Sequence, residues 1–71
     1  MTVKANYSIK VQGILDESWK ETFDVLTMEF DDEDNTLLTG DLDQATLHGI
    51  LKKIRDLGII ILHVKSLDNS G

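Results

Sequence analysis

The sequence predicts an α+β fold: a ferredoxin-like β-α-β-β-α-β arrangement, a four-stranded antiparallel sheet with a short first helix and a long second helix on one face. Three patterns carry that expectation. Apolar and polar residues alternate with period two in several stretches, one long stripe repeats at helical spacing, and a β-branched run closes the chain. A β-meander followed by helix and strand is the alternative.

Tyr7, Ile9 and Val11 alternate with Ser8, Lys10 and Gln12 up to Gly13, the pattern of a half-buried strand. The period then changes. Asp16 can cap a helix, and Trp19, Phe23 and Leu26 are spaced i, i+4, i+7, which predicts a two-turn helix over 17–24. The competing reading runs a strand from Trp19 through to Phe30. Leu26, Met28 and Phe30 then share one face of a strand. The polar run Asp31–Asn35 makes a turn, and Thr36–Gly40 returns as the second arm of a hairpin.

The strongest helix signal follows. Leu47, Ile50, Leu51, Ile54 and Leu57 form one stripe. Asp41 or Asp43 can serve as N-cap, and Gly58 is placed for the left-handed residue that ends a helix. Ile59-Ile60-Ile61-Leu62-His63-Val64 is of strand length and β-branched, and is expected to be well buried on at least one face. Right-handed crossovers place the first and third strands in the centre and the last at an edge beside the first. Residues 1–71 make a single domain, with residues 1–5 and 68–71 expected to be frayed tails.

Composition narrows the chemistry. The chain has no cysteine, which removes disulfides, thiolate metal sites and cysteine nucleophiles. A net charge of −6 with scattered basic residues lacks the clustered cations that nucleic acid requires. No apolar run is long enough to span a bilayer, and Met1–Ala5 lacks the apolar core of a secretory signal, so no membrane role and a cytoplasmic location are expected. Domains this small without a disulfide or metal often gain stability by oligomerising, which favours a homodimer.

Asp43-Gln44-Ala45-Thr46-Leu47-His48-Gly49-Ile50-Leu51-Lys52-Lys53-Ile54-Arg55-Asp56-Leu57-Gly58 resembles the hallmark segment of a family of short, uncharacterised bacterial and archaeal proteins. Tyr7–Gly13, Trp19 and Thr36–Gly40 are similar to that family's earlier blocks. The resemblance implies an identity without an assigned activity. It also implies a glycine before Leu26-Thr27, where this chain has Val25.

On a helical wheel with the apolar stripe facing the sheet, Gln44, His48 and Arg55 share one flank. A glutamine, an imidazole and a guanidinium in a row suit a carboxylate or phosphate group, or a partner protein. The bland reading is that they cover the sheet edge. The back of the helix carries Ala45 and Gly49, small residues that permit close approach of another chain. Strict alternation puts Ile60, Leu62 and Val64 on one face of the last strand and Ile59 and Ile61 on the outer one, a second surface for self-association. His63 shares that outer face and reads as a surface residue.

Asp31-Asp32-Glu33-Asp34 fails the calcium-loop pattern, because Leu37 stands at the turn glycine and Asp43 at the final glutamate. No catalytic residue, metal ligand or cofactor motif emerges from the serines, glutamates or glycines. The expected function is a non-enzymatic interaction or regulatory module acting on an unknown protein partner or as a homodimer. The runner-up is a small anionic-ligand-binding or enzymatic domain using Gln44, His48 and Arg55.

Overall fold

Alternation in the first strand and in the return arm of the hairpin places the two at the centre of the sheet. In a computed structural model, which describes residues 3–67, β1 (Ala5–Val11) pairs antiparallel with β3 (Thr36–Leu42), setting Ile9 opposite Leu38 and Val11 opposite Thr36. β2 (Thr27–Phe30) adds to the far side of β3, and β4 (Ile61–Ser66) to the far side of β1. The order is β2-β3-β1-β4, with every neighbour antiparallel. Ala5 pairs with Leu42, so β1 takes in a residue assigned from sequence to a frayed tail. Residues 1–2 and 68–71 lie outside the described residues.

One face of this sheet carries the core. Ile9, Val11, Leu38 and Leu42 meet Leu47, Ile50 and Ile54 of helix α2 (Gln44–Asp56), with Leu15 and Phe23 from the segment between β1 and β2. Both ends of α2 are fixed by local chemistry. The Asp43 carboxylate accepts from the Thr46 N–H at 2.7 Å, satisfying one of the donors that a helix start leaves open. Gly58, at φ 78°, donates to the Arg55 carbonyl, and Ile59 donates to that of Ile54. Those two bonds are the Schellman closure, and they need the left-handed residue that glycine supplies without strain.

The segment 17–24 is helical rather than extended, but shorter than the sequence predicts. α1 is one turn, Trp19–Thr22. The Asp16 carboxylate accepts only from Ser18, and Phe23 leaves helical geometry at φ −115°, ψ 49°. The physical reason lies across the sheet. Phe23 is 2% exposed and its ring sits 6.0 Å from that of Trp19, so the chain turns early to bury it. It then crosses Gly40 closely: a Cβ there would stand 2.8 Å from Leu26 Cδ2 and 2.9 Å from the Val25 carbonyl oxygen. Val25 itself has no positive φ, so this position does not require glycine.

The hairpin and the β1–α1 loop are tied together at one end. Asp31 accepts from the backbone N–H of Glu33 and of Asn35, both at 2.9 Å, and Asp34 takes the left-handed conformation at φ 62°. Asn35 Oδ1 accepts from the Gly13 N–H. The buried Thr36 hydroxyl donates to the Gly13 carbonyl at 2.7 Å and accepts from the Leu15 N–H at 3.1 Å. The last strand departs furthest from expectation. It begins at Ile61 rather than Ile59, and a bulge between Lys10 and Val11 shifts its register by one residue. Ile61 thereby faces Val11, and Ile59 and Ile61 pack against the core rather than standing on an outer face. No residue of β4 is buried.

Candidate functional site

The α2 flank is built by the same spacing that builds the core. At about 100° per residue, a stripe aimed at the sheet leaves Gln44, His48, Leu51 and Arg55 on one side. His48, Leu51, Lys52 and Arg55 line an open groove of about 300 Å³. Two of the three residues grouped from sequence, His48 and Arg55, are therefore brought together. Gln44 is not free to join them, because its Nε2 donates to the Tyr7 hydroxyl at 2.8 Å. Lys52 takes its place at the groove, and its Nζ is held by Asp56 at 3.1 Å. Among the described residues, the side chains of His48 and Arg55 make no ion pair or hydrogen bond.

α2 leaves β3 and returns to β4, crossing β1. A right-handed connection, the rule for parallel strands joined by a helix, turns the groove flank toward β4. There the sheet ends in apolar residues. Leu62 is 44% exposed and Val64 37% exposed, with Ile60 and Leu67 exposed at either end of the strand. Strict alternation groups Ile60, Leu62 and Val64 on one face. Val64 does lie on the helix side, opposite Ile9, and stays exposed there. The bulge at Leu62 breaks the grouping, a signal that depends on pairing with β1. On the back of α2, Ala45 and Gly49 are exposed, and a Cβ on Gly49 would meet nothing within 4 Å.

Charge is divided between the two sides. Nine of the thirteen acidic residues lie between positions 16 and 34, with Lys20 their one basic neighbour. From 48 to 67 the chain carries Lys52, Lys53, Arg55 and Lys65, both histidines, and only Asp56 as acid. Several acidic groups have structural work. The Asn35 N–H, with Lys10 at 3.0 Å, pulls the Asp31 carboxyl down to about 2. Lys10 is raised in return, chiefly by its bond to Asp31. Thr46, through its side chain and then its N–H, lowers Asp43. Among the described residues no group of three or more metal-ligating side chains stands together, and no helix is long and apolar enough to cross a membrane.

No curated protein and no solved structure gives a significant match to this chain. Over residues 6–65 the sequence matches the family described as Domain of unknown function (DUF8691), a span containing α2 and all four strands but for their outermost residues. An uncharacterised family is consistent with the resemblance carried by the 43–58 segment, and the chain belongs to this one, DUF8691.

Proposed function

We propose that the protein is a non-enzymatic interaction module on a reduced ferredoxin-like scaffold, working in the cytoplasm and presenting β4 and the neighbouring α2 flank to a protein partner. One observation carries the reading: β4 ends the sheet while leaving Leu62 and Val64 exposed. Natural sheet edges are usually shortened, charged or covered, since an open one templates pairing with another chain. A long edge with apolar side chains is consistent with a surface that another protein covers. Light scattering decides whether that protein is a second copy. Retention of partners by wild type, and their loss with a folded Leu62→Lys, Val64→Lys variant, tests the surface. Identical retention by both proteins removes the proposal.

A second reading has its own support in the groove lined by His48, Leu51, Lys52 and Arg55. Three cationic or titratable groups, His48, Lys52 and Arg55, beside the apolar Leu51 suit a small carboxylate or phosphate ligand. A thermal shift with such a compound, weakened by Arg55→Ala, is its expected mark. Stabilisation that Arg55→Ala leaves unchanged removes it.

A further inference from the structure

We propose that β4 takes up an extended acidic segment of another protein, one whose apolar residues alternate with carboxylates, as a fifth strand of the sheet. This rests on reading the protein as an interaction module, and it specifies the partner's chemistry. Three observations converge on it. β4 pairs with β1 along one side only, and it is last in the sheet order, so its second edge ends the sheet among the described residues. Extended peptides add to such edges through backbone hydrogen bonds, and alternate side chains give the specificity.

The two faces of β4 set what those alternate side chains must be. Val64 lies opposite Ile9 and Ile61 opposite Val11, so both belong to the helix side, where Val64 remains 37% exposed. His63 lies opposite Lys10 and Lys65 opposite Ser8, on the outer side. An incoming strand therefore meets apolar neighbours at one set of positions, and an imidazole and the Lys65 ammonium at the other. Cross-strand pairs of opposite charge, and pairs of β-branched residues, are the favourable ones. Lys10 is already taken by Asp31 and Glu33, which leaves His63 and Lys65 to face the new strand. At the helix side, Arg55 adds positive charge along the α2 flank.

The same charges argue against a second copy at this edge. Two β4 strands paired about a two-fold axis through Lys65 set that ammonium against its own copy, and like charges opposite one another destabilise a sheet. The occupant is thus a different chain.

The test uses the full protein and capped hexapeptides alternating valine with glutamate, or valine with lysine. Titration followed by amide resonances is expected to show the glutamate peptide binding at residues 61–66, about tenfold tighter than the lysine peptide. His63→Glu with Lys65→Glu, checked for folding by circular dichroism, reverses the preference. N-methylation of the peptide amides along one edge abolishes binding, whereas methylation along the other does not. Equal affinity for both peptides, or shifts confined to residues away from β4, overturns the proposal. So does a dimer in light scattering that the peptide fails to dissociate. If neither peptide binds but a cellular partner still depends on Leu62 and Val64, the strand chemistry falls and the interaction module stands.

Discussion

β2 and β4 both terminate the sheet, yet they are held in opposite ways. The β2 side is short and tied down. Four residues pair with β3, Phe23 is buried just before them, and the chain passes Gly40 so closely that a Cβ there would stand 2.8 Å from Leu26 Cδ2. The acidic hairpin that follows is pinned by Lys10 reaching across from β1. Neither edge strand has a buried residue, and Phe30 of β2 is itself exposed; the β4 side is longer and leaves both Leu62 and Val64 exposed. The β2 side is anchored through Phe23 and the Lys10–Asp31 pair, whereas the β4 side meets the core only through the partly buried Ile59 and Ile61. A small domain that spends its limited core on one side has little left to cover the other, which is why the open edge reads as a surface for binding.

The sharpest break of that contrast is a pair of truncations. Phe23→Ala removes a ring that is 2% exposed and stacked on Trp19, at an expected cost of about 3–5 kcal/mol. Domains of this size have roughly 4–10 kcal/mol in total, so the variant is expected to be largely unfolded near physiological temperature. Leu62→Ser, at a residue 44% exposed, is expected to stay within about 0.5 kcal/mol of wild type. Urea unfolding followed by tryptophan fluorescence measures both. A comparable loss at Leu62 means that the β4 side is structural after all.

Gly40→Ala tests the crossing itself. The added methyl meets a backbone oxygen at 2.9 Å, which can yield only if the 23–26 segment shifts. A loss of about 1–3 kcal/mol is expected, lowering Tm by several degrees or more. An unchanged Tm shows that this side is looser than its packing suggests.

The hairpin's contribution is read in acid. Asp31 has a folded pKa of about 2 against an ordinary 3.8, so the unfolded chain binds the proton more readily. Stability from this group is complete above the ordinary value and is lost as pH falls through about 2. Asp31→Asn keeps an acceptor for the turn but forfeits the charge. It is expected to flatten the slope of stability between pH 4 and pH 2. An unaltered slope assigns the acid sensitivity to other carboxylates.

How far all this was legible depended on whether the deciding contact was local. α2 was, because its stripe, its Asp43 cap and its Gly58 stop all act within a few residues. The positions of β1 and β3 followed from alternation and crossover handedness. α1 was legible as a helix, but its length was not, since Phe23 leaves it to enter a core assembled from distant strands. The face assignment of β4 held for His63 and Val64 but failed for Ile59 and Ile61, because the bulge at Leu62 inverts the residues before it and nothing in Ile59–Val64 announces it. The flank of His48 and Arg55 was legible from the wheel, whereas the loss of Gln44 to Tyr7 joins residues 37 apart in the chain.

The smallest effect bears on whether the back of α2 belongs to the closed half or the open one. Gly49 is exposed, its position leaves open space for a methyl group, and its φ is not positive. Glycine in a helix interior costs about 0.5–1 kcal/mol relative to alanine, through the freedom it gives the unfolded chain. Gly49→Ala is therefore expected to raise Tm by about 4 °C or a little more, with no change in mass by light scattering. A fall in stability, or the loss of a dimer that wild type forms, means that another backbone approaches Ala45 and Gly49. In that case the open half of the molecule extends from β4 around the helix, and the partner surface is larger than the edge alone.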